Sequence, residues 1–392
     1  MCSRMFLGCG RARAVWAAGA LTLLLAACGT VAPPTVEPVA PLLGTQFVAV
    51  GFADLPGWHD DELTEAYPAL VTSCQSLQKK APWQNFCVAL QAHKPESTSA
   101  LRAFLEHSLR PYRMLAAEGG ETGLVTGYYE PLLSGSRVRD DRNRFALYAP
   151  PDDLLTVELA ELFPELKNKR VRGRVVGKKV VPYAARGEIE SHGDALKGKE
   201  IAWVEDPVEL FFLHIQGSGR IRLPEGDLLR VGYADQNGHP YRSIGKLLVE
   251  RGELSLDQAS MQGIKAWGRA HPNKLAGLLA ENPSYVFFRP LPNSDGGPPG
   301  AMGLPLTAAR SVAVDPRETP LGAPLWLATT RPLSNQPLER LVLAQDTGGA
   351  IRGPLRLDFF WGFGEEAGAL AGRMRQRGRL WLLWPAEAPA PR

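Results

Sequence analysis

The sequence has 392 residues, of which 45% are hydrophobic and 22% are charged. This composition excludes a disordered chain, a coiled coil and a polytopic membrane protein, and the 40 Gly and 33 Pro favour a turn-rich, largely β architecture. Residues 1–27 contain three of the 44 Lys and Arg residues and none of the 41 Asp and Glu residues. Residues 28–392 therefore contain 41 basic and 41 acidic residues and carry no net charge. A neutral chain has no basic field for nucleic acid, which we exclude as a partner.

The N-terminal segment is predicted to be an export signal over 1–27. Arginines precede an apolar stretch, 14–27, that is too short to span a bilayer and ends in small residues. Leu25-Ala26-Ala27-Cys28 matches a lipobox, in which the Cys28 thiol accepts a diacylglyceryl group. Gly29 after this cysteine favours an outer-membrane lipoprotein that faces the periplasm of a Gram-negative cell. An ordinary cleaved signal and an uncleaved anchor are the alternatives.

Residues 28–45 are rich in proline and are predicted to form an extended, lipidated tether, because proline fixes φ and cannot join a helix or sheet interior. Removal of the signal and lipidation of Cys28 leave Cys74 and Cys87. An even pair in an exported chain predicts a disulfide bond, and two buried free thiols are the alternative.

The first elements of the mature chain are predicted to be two helices and a strand. Apolar residues recur at helical spacing over Asp61–Leu77, with Asp60 or Asp61 available as N-cap. A second helix is expected over Ser99–Leu115, and a short aromatic strand over Leu124–Pro131 ends at the proline. The second helix would turn four apolar side chains inward, those of Leu101, Phe104, Leu105 and Leu109.

The rest of the chain is predicted to be mostly strands. Several strands and one clear helix, Ser255–His271, are expected before 290, and a Gly/Pro-rich linker covers Asn293–Gly303. Five short strands follow, at Ser311–Val314, Leu325–Ala328, Leu341–Ala344, Leu355–Phe360 and Leu380–Leu383. Because no long helix is expected between them, a compact β-barrel is favoured over a parallel α/β sheet.

Histidine and serine give weak catalytic signals. The seven histidines have no metal-ligand spacing, so neither a metal nor a cofactor is expected. Ser218 lies in Gln216-Gly217-Ser218-Gly219, where Gln216 replaces the first glycine of a nucleophile elbow. We therefore interpret Ser218 as part of a tight turn.

Two aspartates give the strongest local signal. Asp346 and Asp358 each follow an apolar strand, with glycines nearby and Phe359-Phe360-Trp361 next to the second acid. Two carboxylates at one rim could act as an acid/base pair, and burial against aromatic rings would raise a carboxyl pKa as a general acid needs. The alternative is that both carboxylates accept backbone N–H bonds in turns.

Several motifs in order resemble one bacterial cell-wall family. Val314-Asp315-Pro316, Asp346–Ile351 and Leu357–Phe360 are similar to the three-aspartate domain of cell-wall proteins. Upstream motifs resemble the membrane-bound lytic transglycosylase A family, namely Gly127–Pro131, Gln216–Gly219, Tyr241–Lys246 and Asn282–Phe288. The resemblance extends from about residue 50 to residue 384.

This resemblance implies a mainly β fold with some helices. A double-psi β-barrel would be built from residues 46–134 and 290–385, and an inserted, barrel-like β domain would cover 135–289. A glycan groove would lie between them.

The resemblance also implies the chemistry. Asp358 would be the single acid/base that cleaves the bond between N-acetylmuramic acid and N-acetylglucosamine in an exo mode and closes a 1,6-anhydro ring. Asp346 would be a secondary acid that holds the loop or raises the pKa of Asp358, and Asp315 would be structural. Substrate-binding roles are predicted for Tyr128, Tyr129, Glu130, Gln216, Ser218, Tyr241, Arg242, Gly348 and Gly349.

Three other functions compete with this one. They are a non-catalytic peptidoglycan-binding lipoprotein, a two-carboxylate glycan hydrolase, and an aspartic protease, which Gly349 argues against. The expected partners are peptidoglycan glycan strands and outer-membrane lipid through Cys28, and cell-wall synthesis or scaffolding proteins are further candidates.

Overall fold

The computed structural model describes residues 44–166, 169, 171–191, 196–294 and 296–391. The predicted signal, Cys28 and nearly all of the predicted tether lie outside the described residues.

The described chain is mainly strands with shorter helices. The strands are β1 (Gln46–Ala49), β2 (Leu109–Leu115), β3 (Gly123–Glu130), β4 (Leu132–Ser136), β5 (Phe145–Tyr148), β6 (Leu155–Thr156), β7 (Arg172–Val176), β8 (Lys179–Pro182), β9 (Glu200–Val204), β10 (Ser218–Arg222), β11 (Leu228–Gln236), β12 (Val286–Pro290), β13 (Ser311–Val314), β14 (Pro324–Thr330), β15 (Pro337–Asp346), β16 (Leu357–Phe363) and β17 (Arg375–Pro385). The helices are α1 (Tyr67–Leu77), α2 (Gln84–His93), α3 (Thr98–Ser108), α4 (Arg186–Ser191), α5 (Pro207–Gln216), α6 (Ile244–Glu250), α7 (Met261–Ala270), α8 (Pro272–Ala280) and α9 (Gly364–Ala371). Short 3-10 turns lie at Phe52–Asp54, Leu63–Ala66, Ala81–Trp83, Pro164–Leu166 and Leu256–Gln258.

Six strands close into a barrel in the order β3-β16-β13-β15-β14-β17, because β17 also pairs with β3. Alternate residues of these strands fill the interior, including Val125, Val312, Leu357 and Phe359, all fully buried in one core. Successive side chains of a strand point to opposite faces, so the residues between them lie on the outside of the barrel. This is the double-psi β-barrel that the sequence predicts.

The inserted region contains a second, mixed sheet in the order β12-β11-β10-β4-β9-β5 and a small sheet of β6, β7 and β8. The end strands β5 and β12 of the six-stranded sheet approach each other, so this sheet is strongly curved. Helix α5 packs on it, and α6, α7 and α8 add a separate apolar core around Phe211 and Trp267. The two sheets and helices of the insert lie between β3 and β13 in the chain.

The predicted first helix begins later than expected, and Asp61 is not its N-cap. Its carboxylate instead accepts two hydrogen bonds from the buried Arg310 guanidinium, at 2.7 and 2.8 Å, and one from the Leu341 N–H. The segment that precedes α1 is therefore bound to the barrel by a buried ion pair between Asp61 and Arg310. The position of Asp61 in the sequence does not show whether its carboxylate caps a helix or pairs with a distant arginine.

The predicted second helix is wrong in its C-terminal half. Leu101 and Leu105 are buried on α3 as expected, but the chain becomes strand β2 at Leu109. Pro111 explains the change, because proline inside a helix removes a hydrogen bond and clashes with the preceding turn.

Helix α5 was missed, although its ends carry clear signals. Asp206 accepts hydrogen bonds from the N–H groups of Val208 and Glu209, Pro207 is the first helical residue, and Gly217 ends the helix at φ +78°. Only one helix was expected between 135 and 290, whereas α4, α5, α6, α7 and α8 lie there.

The structure contains a disulfide bond between Cys74 on α1 and Cys87 on α2, with Cα atoms 5.4 Å apart. Both side chains are fully buried in the core that the helices share with the barrel. We expect thiol alkylation of the unfolded, unreduced protein carrying Cys28→Ala to label neither cysteine of this pair. Label on both Cys74 and Cys87 would contradict the bond.

Within the part of the chain that the structure describes, no helix is both long enough and apolar enough to cross a membrane.

Candidate active site

The two aspartates lie in one row across neighbouring barrel strands. Ala313 on β13 is opposite Asp346 on β15 and also opposite Asp358 on β16, and Asp358 is opposite Thr126 on β3. Directly opposed residues share a face, and strands are about 4.8 Å apart, so the two aspartate Cα atoms are about 10 Å apart. Because Val312 fills the interior, this row lies on the outer face of the barrel.

Asp358 is the second residue of β16, not the residue after a strand as predicted. The Thr126 hydroxyl donates a short hydrogen bond to Asp358 Oδ1, and Arg356 Nη2 donates to Thr126 Oγ1 at 2.9 Å. The Arg356 bond occupies a lone pair of Thr126 Oγ1 and leaves the hydroxyl hydrogen for Asp358. Asp358 Oδ1 is therefore engaged, and Oδ2 can carry a proton.

Burial raises the pKa of Asp358, and the Thr126 hydrogen bond and the Arg356 charge partly oppose this rise. Of the three predicted aromatic neighbours, only Phe360 shares the face of Asp358. Phe359 is buried in the barrel interior, where Trp361 packs against it with ring centroids 4.9 Å apart. The strand alternation thus separates residues that the sequence places side by side.

Asp346 ends β15, and its carboxylate accepts hydrogen bonds from the Thr347 N–H and from two groups distant in sequence. The Tyr128 hydroxyl donates to Oδ2 at 3.0 Å, and the Ala301 N–H donates to Oδ1 at 2.9 Å. Burial raises the pKa of Asp346 to about 6 against these hydrogen bonds, and the Asp358 charge adds to the rise. The Tyr128 ring lies beside Phe360, with centroids 5.1 Å apart.

The predicted site residues Tyr129 and Gln216 contact each other across the two sheets. The Tyr129 N–H donates to Gln216 Oε1 at 3.2 Å, so the C-terminal end of α5 lies against β3. Ser218 follows at the start of β10 and is half-buried. The Tyr129 ring is buried against Ala367 and Ala371 of α9, and this packing argues against the predicted contact of the ring with a sugar.

Burial also argues against the predicted substrate-binding role of Glu130. Its side chain is 0% exposed, and its Oε2 accepts a hydrogen bond from Arg220 Nε at 2.9 Å, while Arg230 Nη2 is 4.0 Å from Oε1. Arg230 also donates to the carbonyl oxygens of Gly296 and Gly297 at 2.9 and 3.0 Å. Glu130 is therefore the buried counter-charge that Arg220 and Arg230 share.

The remaining predicted contacts lie away from the aspartates or at the edge of the site. Tyr241 is half-exposed and Arg242 is paired with Glu281 at 2.7 Å, in a surface depression on the insert whose lining includes neither aspartate. Gly348 and Gly349 form the turn after Asp346, and Gly349 is exposed.

The surroundings of Asp315 are consistent with the structural role predicted for it. It is buried and accepts hydrogen bonds from the Arg317 guanidinium and from the Gly353 N–H at 2.9 Å. Burial raises its pKa, but these bonds outweigh that effect and lower it to about 2. The contact fixes the loop that leads into β16.

Thr126 and Arg356 contact the site but were not predicted from the sequence. The signal for Thr126 was available, because Val125 fits an interior position and Thr126 and Tyr128 must then share the outer face. No spacing rule pointed to Arg356. Among the described residues, no group of three or more His, Cys, Asp or Glu side chains could hold a metal ion.

Comparison with known proteins decides the family. The model of the MltA specific insert domain matches residues 124–289, and the model of the 3D domain matches residues 310–384. A membrane-bound lytic murein transglycosylase A from Escherichia coli strain K12 is 34% identical over 291 residues, covering 72% of this chain and 71% of that protein. The chain belongs to the membrane-bound lytic murein transglycosylase A family.

Solved structures of this family have the same fold. MltA from Neisseria gonorrhoeae, in its monoclinic form, is 38% identical with a TM-score of 0.80, and the match covers 91% of this chain and 100% of that one. Escherichia coli MltA with bound chitohexaose is 28% identical with a TM-score of 0.64, covering 90% and 95%. The mainly β architecture with a double-psi barrel is thus shared with members of the family.

Proposed function

We propose that this protein is a peptidoglycan lytic transglycosylase in which Asp358 is the single acid/base. The observation that carries this proposal is a half-buried carboxyl with a raised pKa on the outer face of the barrel, oriented by Thr126 through one oxygen. Family membership supports it, and so does the relative whose structure contains chitohexaose. The substrate would be a glycan strand of alternating N-acetylglucosamine and N-acetylmuramic acid.

In the first step, protonated Asp358 donates its proton to the glycosidic oxygen, and the bond from this oxygen to C1 of the muramic residue breaks. The N-acetylglucosamine leaves with a free hydroxyl, and positive charge develops at C1. The carboxylate that forms is stabilised by the Thr126 hydroxyl and by the Arg356 charge.

In the second step, the carboxylate of Asp358 removes the proton from the C6 hydroxyl of the same muramic residue. O6 attacks C1 and closes the 1,6-anhydro ring, which returns Asp358 to its protonated form. No water enters the balance. One carboxylate serves both steps, because the second proton transfer reverses the first.

Tyr128 and Asp346 support this site. Tyr128 holds Asp346 through its hydroxyl, and its ring packs against Phe360 next to Asp358. Both oxygens of Asp346 accept hydrogen bonds from the protein. This arrangement favours a positioning role over activation of a water molecule.

Analysis of products from purified sacculi by mass spectrometry tests the proposal. Anhydromuramyl ends are expected if Asp358 acts alone. Reducing ends would instead indicate a two-carboxylate hydrolase that uses Asp346, and the absence of released fragments would indicate a binding protein. Exo cleavage predicts disaccharide products from the earliest time points, whereas endo cleavage would first release longer chains.

We expect activity to be highest on the acidic side of neutrality. The reaction needs protonated Asp358, whose pKa is raised above the ordinary value, so activity should fall as pH rises through that pKa. Thr126→Val removes a hydrogen bond that favours the carboxylate, so the falling limb of the pH profile should move to higher pH. A limb that stays in place or moves to lower pH would contradict this orientation of Thr126.

We also propose that the protein is an outer-membrane lipoprotein facing the periplasm, acylated at Cys28. Leu25-Ala26-Ala27-Cys28 supports this localisation, as does the name of its membrane-bound relative. Cys28→Ala should leave the protein without lipid and abolish its recovery in membrane fractions. Incorporation of labelled lipid into this variant would refute the assignment.

A further inference from the structure

The hairpin formed by β7 and β8 exposes apolar side chains that no other described part of the chain covers. Val175, Val176 and Val180 are 60%, 52% and 57% exposed. Val175 lies opposite Val180, whereas Val176 lies opposite Lys179, so the valines occupy both faces of the two-stranded tip. Exposing three neighbouring valines costs solvation free energy without any benefit to the fold.

The same segment is basic. Residues 166–187 contain eight Lys and Arg residues and no Asp or Glu. At the tip, Arg174, Lys178 and Lys179 are exposed beside the valines. Acidic residues lie outside the tip, at Glu158, Glu161 and Glu165 on the segment before β7. The tip therefore combines apolar and cationic side chains, a combination that suits an anionic interface.

The base of the hairpin is fixed while its tip projects. Arg172 donates to Asp235 on β11 at 2.9 Å, which binds the base of β7 to the large sheet of the insert. The tip turns at Gly177 and Lys178, with Gly177 at φ +60°, as two-residue hairpin turns require. A rigid hairpin can enter a surface without an ordering cost in the rest of the chain.

We infer that the β7–β8 tip inserts into the surface of an anionic phospholipid bilayer. A protein partner would pack on one face of this ribbon, but a bilayer surrounds an inserted tip and covers Val175, Val180 and Val176 together. The cationic groups at the tip then lie level with lipid phosphates, where each Lys or Arg adds to binding. The inference depends neither on Asp358 nor on acylation of Cys28.

The test uses the mature chain from residue 29, in which Cys74 and Cys87 are joined in the disulfide bond, with a single labelled cysteine added at the tip. Val176→Cys, coupled to an environment-sensitive fluorophore, is mixed with vesicles of phosphatidylcholine or of equal parts phosphatidylcholine and phosphatidylglycerol. We expect a blue shift with a rise in emission only with the anionic vesicles, weakened by high salt. The matched control is Val88→Cys, which places the label on another exposed valine, on α2, and should show no shift.

Charge reversal gives the second measurement. Lys178→Glu combined with Lys179→Glu should lower partition of the labelled tip into anionic vesicles by at least about tenfold. Cleavage of soluble glycan by this variant should match the parent, which shows that it is folded. No shift at Val176, an equal shift at Val88, or a shift produced by sacculi but not by vesicles would overturn the inference, and the last result would assign the tip to peptidoglycan.

Discussion

Asp358→Asn should reduce turnover on purified sacculi by at least about 10²- to 10⁴-fold, the range attributed to general acid–base catalysis. The amide keeps the shape of the side chain and can still accept the Thr126 hydrogen bond, but it has no acidic proton to give to the glycosidic oxygen. Release of anhydromuropeptides by mass spectrometry measures the loss. Binding of chitohexaose should survive, because the substitution leaves the surrounding surface unchanged.

Asp346→Asn is the matched control for this substitution. Both aspartates are half-buried on the same face of the barrel, and both flank Ala313. If Asp346 only positions Tyr128 and the Ala301 segment, its loss should be milder than that of Asp358. Equal losses, together with reducing ends among the products, would support a hydrolytic pair. A folded Asp358→Asn protein that binds glycan and releases anhydromuropeptides at the parental rate would refute the mechanism.

The barrel strands could be predicted because each is a short apolar run between turn residues, a pattern that favours a strand over a helix. Ser311–Val314 is a strand with the predicted bounds, and Leu341–Ala344 lies inside the longer β15. Helix α5 could not be found from periodicity, because Phe211 and Leu213 are buried with their neighbours and the helix is apolar on most sides. Its capping residues carried the information that the periodicity lacked.

The site was predictable where residues lie close in sequence or share a strand face. Asp346 and Asp358 are brought together by the strand order of the barrel, which the sequence does not reveal. A sequence motif does not show which of its side chains are buried. Tyr129 and Glu130 belong to the same motif as Tyr128, yet both side chains are buried. Adjacent residues of one motif can therefore have different roles, one in packing and the other in the site.

Glu130→Gln distinguishes these two roles. The substitution leaves Arg220 and Arg230 without their buried counter-charge, and breaking a buried ion pair costs about 3 to 5 kcal/mol in the free energy of unfolding. We expect the midpoint of urea unfolding to fall accordingly. The control is Glu250→Gln, which breaks an exposed pair with Lys246 on α6 and should cost less than about 0.5 kcal/mol.

Glu130→Gln should also lower turnover, because Arg220 and Arg230 support segments next to the site. Arg220 lies over the Phe363 ring, 4.0 Å from its centroid, at the end of the strand that carries Asp358, and Arg230 binds the segment before Ala301. Weakening this support should lower kcat and stability together. If Glu130 instead contacted the glycan, the variant would keep its stability and show only a raised KM. An unchanged unfolding midpoint with a higher KM would therefore restore the substrate-binding role that its burial contradicts.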